Sequence, residues 1–246
     1  MSSPHLPPEL EHEIFLLAFQ SEGAEVNNLC LVAKRVLDWL IPQIYHLVII
    51  SSEKSSPINF NEIVYKKYGH HVRHLFLEDD ELGGCLHLFP NVINLAFWVA
   101  SDPADVHLPA LLQLPLTCIS TNPSPELFQL FANVTHLDFL SGFDSESMDI
   151  KSVLYLPKLT HVCVVSESSL RLFLERERCP QLKMGIVWGW GEADPKLDER
   201  TLSDVDDSRV MMIRCEPRGD WEIGAKGGVD MWRFAEGILA SRNGSG

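Results

Sequence analysis

Three histidines stand at equivalent positions of three similar segments, and they are the first side chains that could do chemistry. They are His74, His136 and His161, each preceded by a polar residue and followed by residues typical of a β-strand. If the second and third segments form neighbouring strands, their histidines lie about 5 Å apart and could hold a metal ion or respond to pH. The alternative is a structural row that also contains Asn94, Cys118 and Met184. The sequence favours this row, because spacing alone supplies no carboxylate or thiolate set to complete a metal site.

Other residues that could bind a ligand or catalyse a reaction form no complete motif. The stretch His70-His-Val-Arg-His74 spans a helix–strand turn, so its rings should diverge. Trp188 and Trp190 could stack on a ligand, although the flank of a core suits them better. Neither a phosphate-binding loop nor a nucleophile or zinc motif is present. We therefore predict a protein that is not an enzyme and that uses no metal and no cofactor. An unrecognised catalytic site on the acidic stretch 192–207 is the alternative.

The histidines belong to short segments that repeat one pattern, in which apolar residues occupy the first, fourth and sixth positions. The first apolar residues of the six copies are Val72, Val92, Leu116, Val134, Leu159 and Leu182. Their separations are 18 to 25 residues. A period in the twenties with one short strand per copy is typical of a leucine-rich-repeat-like solenoid. The sequence thus predicts stacked parallel strands joined by helices or turns, an α/β arrangement.

Stacking of the copies predicts two buried rows of side chains and an outward surface. The first buried row would contain Leu75, Leu95, Ile119, Leu137 and Val162. The second would contain Leu77, Phe97, Phe139, Val164 and Val187. Residues between these rows should face outward, where solenoids bind partners. We predict partner contacts at His136, Asp138 and His161.

The first 45 residues have a different, helical pattern. A helix is predicted from Leu6 through Ala18, with proline in its first turn and acidic residues at its N-terminal end. A second helix is predicted over 29–40, and Pro42 should end or kink it.

Three motifs in this helical part carry a family resemblance. Leu6-Pro-Pro-Glu-Leu10, then Ile14-Phe15, then Leu31-Val-Ala-Lys-Arg35 resemble an F-box. The F-box is a compact helical module that binds the Skp-type adaptor of cullin-based (SCF-type) ubiquitin ligases, and leucine-rich repeats that hold the substrate commonly follow it. The layout looks like the F-box-like proteins of mushroom-forming (basidiomycete) fungi. The resemblance implies that the adaptor is bound by Leu6, Pro7, Leu10, Ile14, Leu31, Val32 and Arg35.

The C-terminal part should close the repeat region. We expect a loop over 189–204, a last strand over 210–215 and a glycine-rich connection over 216–228. Asp230 can cap a helix that runs to about residue 240 and covers the open end of the solenoid. Residues 241–246 should be disordered.

Composition narrows the classes of partner and the compartment. The 246 residues carry a net charge of −14, so the chain should repel nucleic acids and anionic membranes. No apolar run reaches the length of a membrane span, and the first residues do not resemble a signal peptide. The six cysteines form no close pair, which favours free thiols in the cytoplasm or nucleus.

The sequence predicts an F-box-like helical unit over 1–45, an irregular leucine-rich-repeat-like solenoid over 46–215, and a capping helix with a tail over 216–246. The first functional hypothesis is a substrate-recruiting adaptor of a ubiquitin ligase, whose substrate is an unknown protein. An exposed apolar stripe on the first helices would favour it. The second is a non-catalytic repeat scaffold with a degenerate F-box, in which that stripe would be buried. A deep pocket with converging ionisable groups would instead favour an enzyme.

Overall fold

The computed structural model describes residues 6–21, 25–50, 62–78, 85–97, 108–121, 130–140, 155–174, 177–192, 195–198 and 207–244. Eight α-helices lie in these ranges: α1 Pro8–Gln20, α2 Val26–Val32, α3 Lys34–Ile44, α4 Glu62–Tyr68, α5 Leu108–Leu111, α6 Glu167–Leu174, α7 Pro217–Ala225 and α8 Met231–Gly244. The same ranges hold nine strands: β1 Leu47–Ile50, β2 His74–Leu77, β3 Asn94–Phe97, β4 Cys118–Thr121, β5 His136–Phe139, β6 His161–Val164, β7 Met184–Trp190, β8 Lys196–Asp198 and β9 Val210–Cys215. The predicted α/β class is confirmed.

The nine strands form one sheet in the order β1-β2-β3-β4-β5-β6-β7-β9-β8. Every neighbouring pair is parallel except β9 and β8, and β8 lies in the stretch that the sequence predicts to be a loop. The register places the predicted row in line, as His74, Asn94, Cys118, His136, His161 and Met184. A recurring pair of hydrogen bonds fixes this register. The carbonyl of the residue just before one strand accepts from two N–H groups of the neighbouring strand, those of its first residue and of the residue before it. The carbonyl of Thr135, for example, accepts from Thr160 and His161.

One face of the sheet, the inner face, carries the main core. Both predicted buried rows lie on it, and each of their residues is at most 2% exposed. Helices contribute Tyr65, Leu111, Leu170 and Phe173 to the same cluster. Apolar residues at alternate strand positions therefore determine which face is buried, as the sequence predicts.

The opposite, outer face is covered by α7 and α8. Trp221 of α7 packs on Phe76, with ring centroids 5.1 Å apart, and Met231 and Ala235 of α8 join the cluster around Ile186. The prediction that the last helix covers the open end of the strand stack is wrong. The helix lies on the outer face because apolar residues of β6, β7 and β9 face outward there and need cover.

The C-terminal helices differ from the predicted glycine-rich connection and disordered tail. Helix α7 forms because the Glu216 carboxylate accepts from the N–H groups of Arg218 and Gly219, and Pro217 occupies the first turn. Gly227 follows it with a φ of 84°, a value that favours glycine. Helix α8 continues to Gly244, so residues 241–244 are helical. The Ser241 hydroxyl donates to the Ile238 carbonyl in that last part.

The predicted single helix over 29–40 is two helices, α2 and α3. They are separated at Ala33, whose backbone is extended at φ −162° and ψ 152°. Its carbonyl accepts from the N–H groups of Val36 and Leu37, which begins α3. The break lets Val36 and Leu40 point inward, where both are fully buried.

Candidate functional site

Large apolar side chains remain exposed on the first two helices. We define the apolar set as Leu6, Leu10, Ile14, Leu17, Leu31 and Val32, which are 48% to 82% exposed. Leu10, Ile14 and Leu17 are spaced so that they lie on one side of α1. The structure thus leaves in solvent the five apolar side chains that the F-box resemblance implies for adaptor binding, together with Leu17.

The two remaining residues that the resemblance implies, Pro7 and Arg35, are also exposed. Pro7 precedes the first residue of α1. The Arg35 guanidinium contacts Glu11 at 2.6 Å and 3.2 Å, which joins α3 to α1. Such an exposed pair contributes little stability, but it fixes where Arg35 points.

A second candidate site lies between the outer face of the sheet and the C-terminal helices. We name it the outer cavity, and its volume is about 180 Å³. The sheet lines it with His74, Asn94, Cys118, Ser120, His136 and Asp138. The C-terminal helices and the residue before α8 line it with Asp220, Trp221, Gly224, Asp230, Met231 and Trp232. Thr117, which also lines it, is exposed.

The carboxyl of Asp138 is a buried acid of this cavity. Its side chain is on β5, and the residue is only 7% exposed. The Ser120 hydroxyl donates to Oδ2 at 3.1 Å, and the Cys163 thiol, a weak donor, also contacts the carboxyl. Oδ1 accepts no hydrogen bond of normal geometry from the described residues. Burial raises the pKa of Asp138 to about 6.

Two further carboxyls face the cavity from the C-terminal part. Oδ1 of Asp220 accepts from the Met231 N–H at 2.8 Å, and Oδ1 of Asp230 accepts from the Arg233 N–H at 2.9 Å, so both cap the start of α8. Burial and then the charge of Asp230 raise the pKa of Asp220 to about 8. Burial also raises the pKa of Asp230. A Cβ atom on Gly224 would collide with the Asp230 carboxylate, so only glycine leaves it room.

The histidine row is neutral near pH 7. Burial, with a smaller effect from a neighbouring cation or histidine, lowers the pKa of His74, His136 and His161 to about 4. The rings of His136 and His161 stack with centroids 4.2 Å apart, which confirms the predicted proximity. The edge of Trp232 contacts both rings. A pKa this low does not suit a switch between about pH 5 and 8.

The expectation that His136, Asp138 and His161 face outward into solvent is wrong. His161 and Asp138 are 5% and 7% exposed, and His136 is half-buried beneath Trp232. With α7 and α8 in place, Asp138 and His161 offer a partner almost no surface, whereas His136 remains partly exposed. The sequence did contain a signal, because Phe76, Ala96 and Ile186 occupy the same face and would not be stable in solvent.

Sequence reasoning missed Asp220, Trp221 and Asp230 as cavity residues. Asp220 and Trp221 lie in the segment 216–228, which the sequence predicts to be a glycine-rich connection. No local pattern there indicates that these two residues pack on the sheet. The two tryptophans singled out earlier meet edge to face, with ring centroids 5.5 Å apart, but their surroundings differ. Trp188 lines the cavity and donates to the Phe139 carbonyl at 3.2 Å, whereas Trp190 is 69% exposed.

The acidic stretch 192–207 is described only in part, because 193–194 and 199–206 lie outside the described residues. Glu192 pairs with Lys196, and Asp207 pairs with Arg209. Within the described ranges, no three histidine, cysteine or acidic side chains are grouped as metal ligands. None of the six cysteines, all of which lie in the described ranges, forms a disulfide.

No protein-family model matches the chain, and no curated protein matches it. The F-box resemblance therefore depends on the three motifs quoted above. None of the described helices combines the length and the apolar character that crossing a membrane requires.

Proposed function

We propose that this chain is a substrate-recruiting adaptor of a cullin-based ubiquitin ligase, whose N-terminal helices bind a Skp-type adaptor protein. The exposed apolar set carries the proposal. Fully burying one leucine or isoleucine stabilises a protein by roughly 2 kcal/mol. Five such apolar side chains left in solvent on two short helices, with Leu6 just before the first, are typical of a surface that a partner covers.

The repeat region would hold the target protein. We infer a leucine-rich-repeat-like solenoid from three features: strand order follows chain order from β1 to β7, the rows are in register, and the carbonyl contact recurs between successive strands. Because α7 and α8 cover the outer face, the target would use other surfaces of the repeats.

A non-catalytic scaffold with a degenerate F-box is the second candidate. Val36 stands where the F-box family usually has tryptophan, and it is fully buried. That position therefore adds nothing to a docking surface, which is the observation that favours a lost adaptor function.

The outer cavity has the deep pocket of an enzyme but no activated nucleophile. Burial raises the pKa of Cys118 to about 11, and the Ser120 hydroxyl contacts a carboxyl rather than a basic histidine. We therefore propose that the chain binds partners and carries out no chemistry.

The test is binding of the full chain to a purified Skp-type adaptor, measured by calorimetry. The variant Leu10→Asp/Ile14→Asp should abolish binding, because it places two charges in the proposed apolar interface. Both side chains are exposed, so the variant should fold normally, and circular dichroism checks this. Ile63→Asp on α4 is the matched control, because this apolar residue is also exposed, at 81%. The proposal is supported if the wild type and Ile63→Asp bind the adaptor and Leu10→Asp/Ile14→Asp does not. Absence of binding by a folded wild-type chain leaves the scaffold and removes the adaptor.

A further inference from the structure

The outer cavity holds three carboxyls and no opposing cation. Asp138, Asp220 and Asp230 line it, and no lysine or arginine is among the described residues that do. The guanidinium of Arg233 bonds instead to the carbonyls of Gly227 and Gly228. The lining histidines His74 and His136 are neutral near pH 7. The cavity therefore pairs its carboxyls with no lining cation in an environment that lacks the screening of bulk water, and its negative charge grows as Asp138 and Asp220 ionise.

Asp138 provides a separate indication of a ligand. Its side chain is more than nine-tenths buried and lines the cavity, and Oδ1 has no hydrogen-bond donor of normal geometry among the described residues. Buried carboxylate oxygens are almost always hydrogen-bonded, since an unmet acceptor costs roughly 1 to 3 kcal/mol. A ligand with an N–H group at this point would satisfy it.

Size and lining indicate an organic ligand. A cavity of about 150 Å³ is enough for benzene, and the outer cavity has about 180 Å³. Trp188, Trp221 and Trp232 give it apolar walls, and indole faces attract cations. A metal ion fits less well, because the described residues contain no three grouped histidine, cysteine or acidic ligands.

We propose that the outer cavity binds a small organic ammonium ion, with its N–H groups at Asp138 and its apolar body against the tryptophans. The ligand replaces the missing counter-charge of the buried carboxyls. This site is independent of adaptor binding, because its residues lie on β2 to β5, β7 and the C-terminal part rather than on α1 to α3.

The experiment is calorimetric titration of the full chain with propylamine, butylamine and benzylamine, each compared with its alcohol. At least one amine should bind about tenfold or more tightly than its alcohol, since a buried charged hydrogen bond discriminates by more than about 1.4 kcal/mol. Benzoate should not bind. Amine affinity should rise between about pH 6 and pH 8, because Asp138 and Asp220 ionise there while an alkylammonium keeps its proton.

Two variants test the residues. Asp138→Asn keeps the size of the side chain and should weaken amine binding about tenfold, without changing the weak binding of the alcohol. Asp230→Asn can still cap α8, and it should weaken amine binding less than Asp138→Asn does. Glu222→Gln on α7 does not line the cavity and should bind as wild type. The proposal is overturned if every amine binds with the same affinity as its alcohol, or if folded Asp138→Asn keeps the wild-type amine affinity. The outer cavity would then hold water only.

Discussion

The indole Nε1 of Trp221 donates a hydrogen bond to Oδ1 of Asn94 at 3.0 Å, across 127 positions of the chain. This bond attaches α7 to the third strand of the sheet. Asn94 Nδ2 in turn lies 3.3 Å from His74 Nδ1, and the Trp221 ring packs on Phe76. Trp221 thus connects α7 directly to the repeats, and it also forms one wall of the outer cavity.

We expect Trp221→Ala to destabilise the chain by about 3 kcal/mol, because it removes a buried aromatic side chain and leaves Asn94 Oδ1 without this donor. Urea unfolding followed by circular dichroism measures the change. Trp190→Ala is the matched control: Trp190 is exposed, so its loss should change the free energy of unfolding by less than about 1 kcal/mol. Similar losses in both variants would show that α7 is not fixed through Trp221.

The strands and their register could be predicted from the sequence because the signal is local. Alternation within each copy fixes which side chains face the core, and parallel stacking of equivalent copies brings His136 next to His161. The side chain of Leu137 had to be buried for the same reason, and it is fully buried.

The outer cavity could not be predicted because it depends on where distant elements pack. Gly219 and Gly224 make α7 a poor helix by intrinsic propensity, and tertiary contacts such as the burial of Trp221, together with the capping contact of Glu216, stabilise it. Asp138 has the pattern of a solvent-facing strand residue. Its burial follows from helices some 80 positions later in the chain.

Stability should be highest near about pH 6.5. The pKa of each of His74, His136 and His161 is about 4 in the fold and about 6.5 in the unfolded chain, so the unfolded chain binds more protons between those values. Stability is therefore lost as the pH falls through this window. Asp138 and Asp220 have pKa values of about 6 and about 8, above 3.8, so they lower stability as the pH rises. Below about pH 6 the three histidines contribute more than the carboxyls to the change of stability with pH, so stability rises with pH. Above about pH 7 Asp220 contributes most, so stability falls.

Urea unfolding at several pH values tests this balance. Asp220→Asn keeps an acceptor for the Met231 N–H. It removes the negative charge of Asp220, which the nearby carboxylates of Asp138, Asp230 and Glu216 repel. In this variant the decline between about pH 6.5 and pH 8 should become a plateau. Glu222→Gln should keep the wild-type maximum. A decline that survives in Asp220→Asn would mean that another group titrates there.

The contact between His161 Nε2 and Glu236 Oε1, at 3.3 Å, is not an ion pair at neutral pH. Burial keeps the imidazole neutral, with a pKa of about 4. A bare ring nitrogen beside a carboxylate would be repulsive, so the neutral ring carries its proton on Nε2, which donates to Glu236 Oε1, while the Thr160 hydroxyl donates to Nδ1. We assign this tautomer from the hydrogen-bond network.

Glu236→Gln should therefore change stability at pH 7 by less than about 1 kcal/mol, because the amide oxygen can still accept from the Nε2 N–H of the neutral ring. Chemical unfolding of both proteins at pH 7 measures the difference. His161→Asn serves as a reference for loss of the ring itself. A loss of more than about 1 kcal/mol in Glu236→Gln would contradict the tautomer and indicate a charged imidazole.

The same change, glycine to alanine inside a helix, should have opposite effects at two positions of the C-terminal part. Alanine favours a helix by about 1 kcal/mol over glycine. No atom lies within 4 Å of a Cβ placed on Gly237, so Gly237→Ala in α8 should stabilise the chain by about that amount. Gly224→Ala in α7 should destabilise it instead, because the new methyl group would collide with the Asp230 carboxylate.

Thermal unfolding of the two alanine variants decides the point, and amine titration adds a second measurement. Displacement of Asp230, which caps α8 and lines the cavity, should lower both the midpoint of unfolding and the amine affinity in Gly224→Ala. Gly237→Ala should raise the midpoint and leave the affinity unchanged. If both variants gain stability, the space at Gly224 is not needed, and α7 packs less closely against Asp230 than the structure shows.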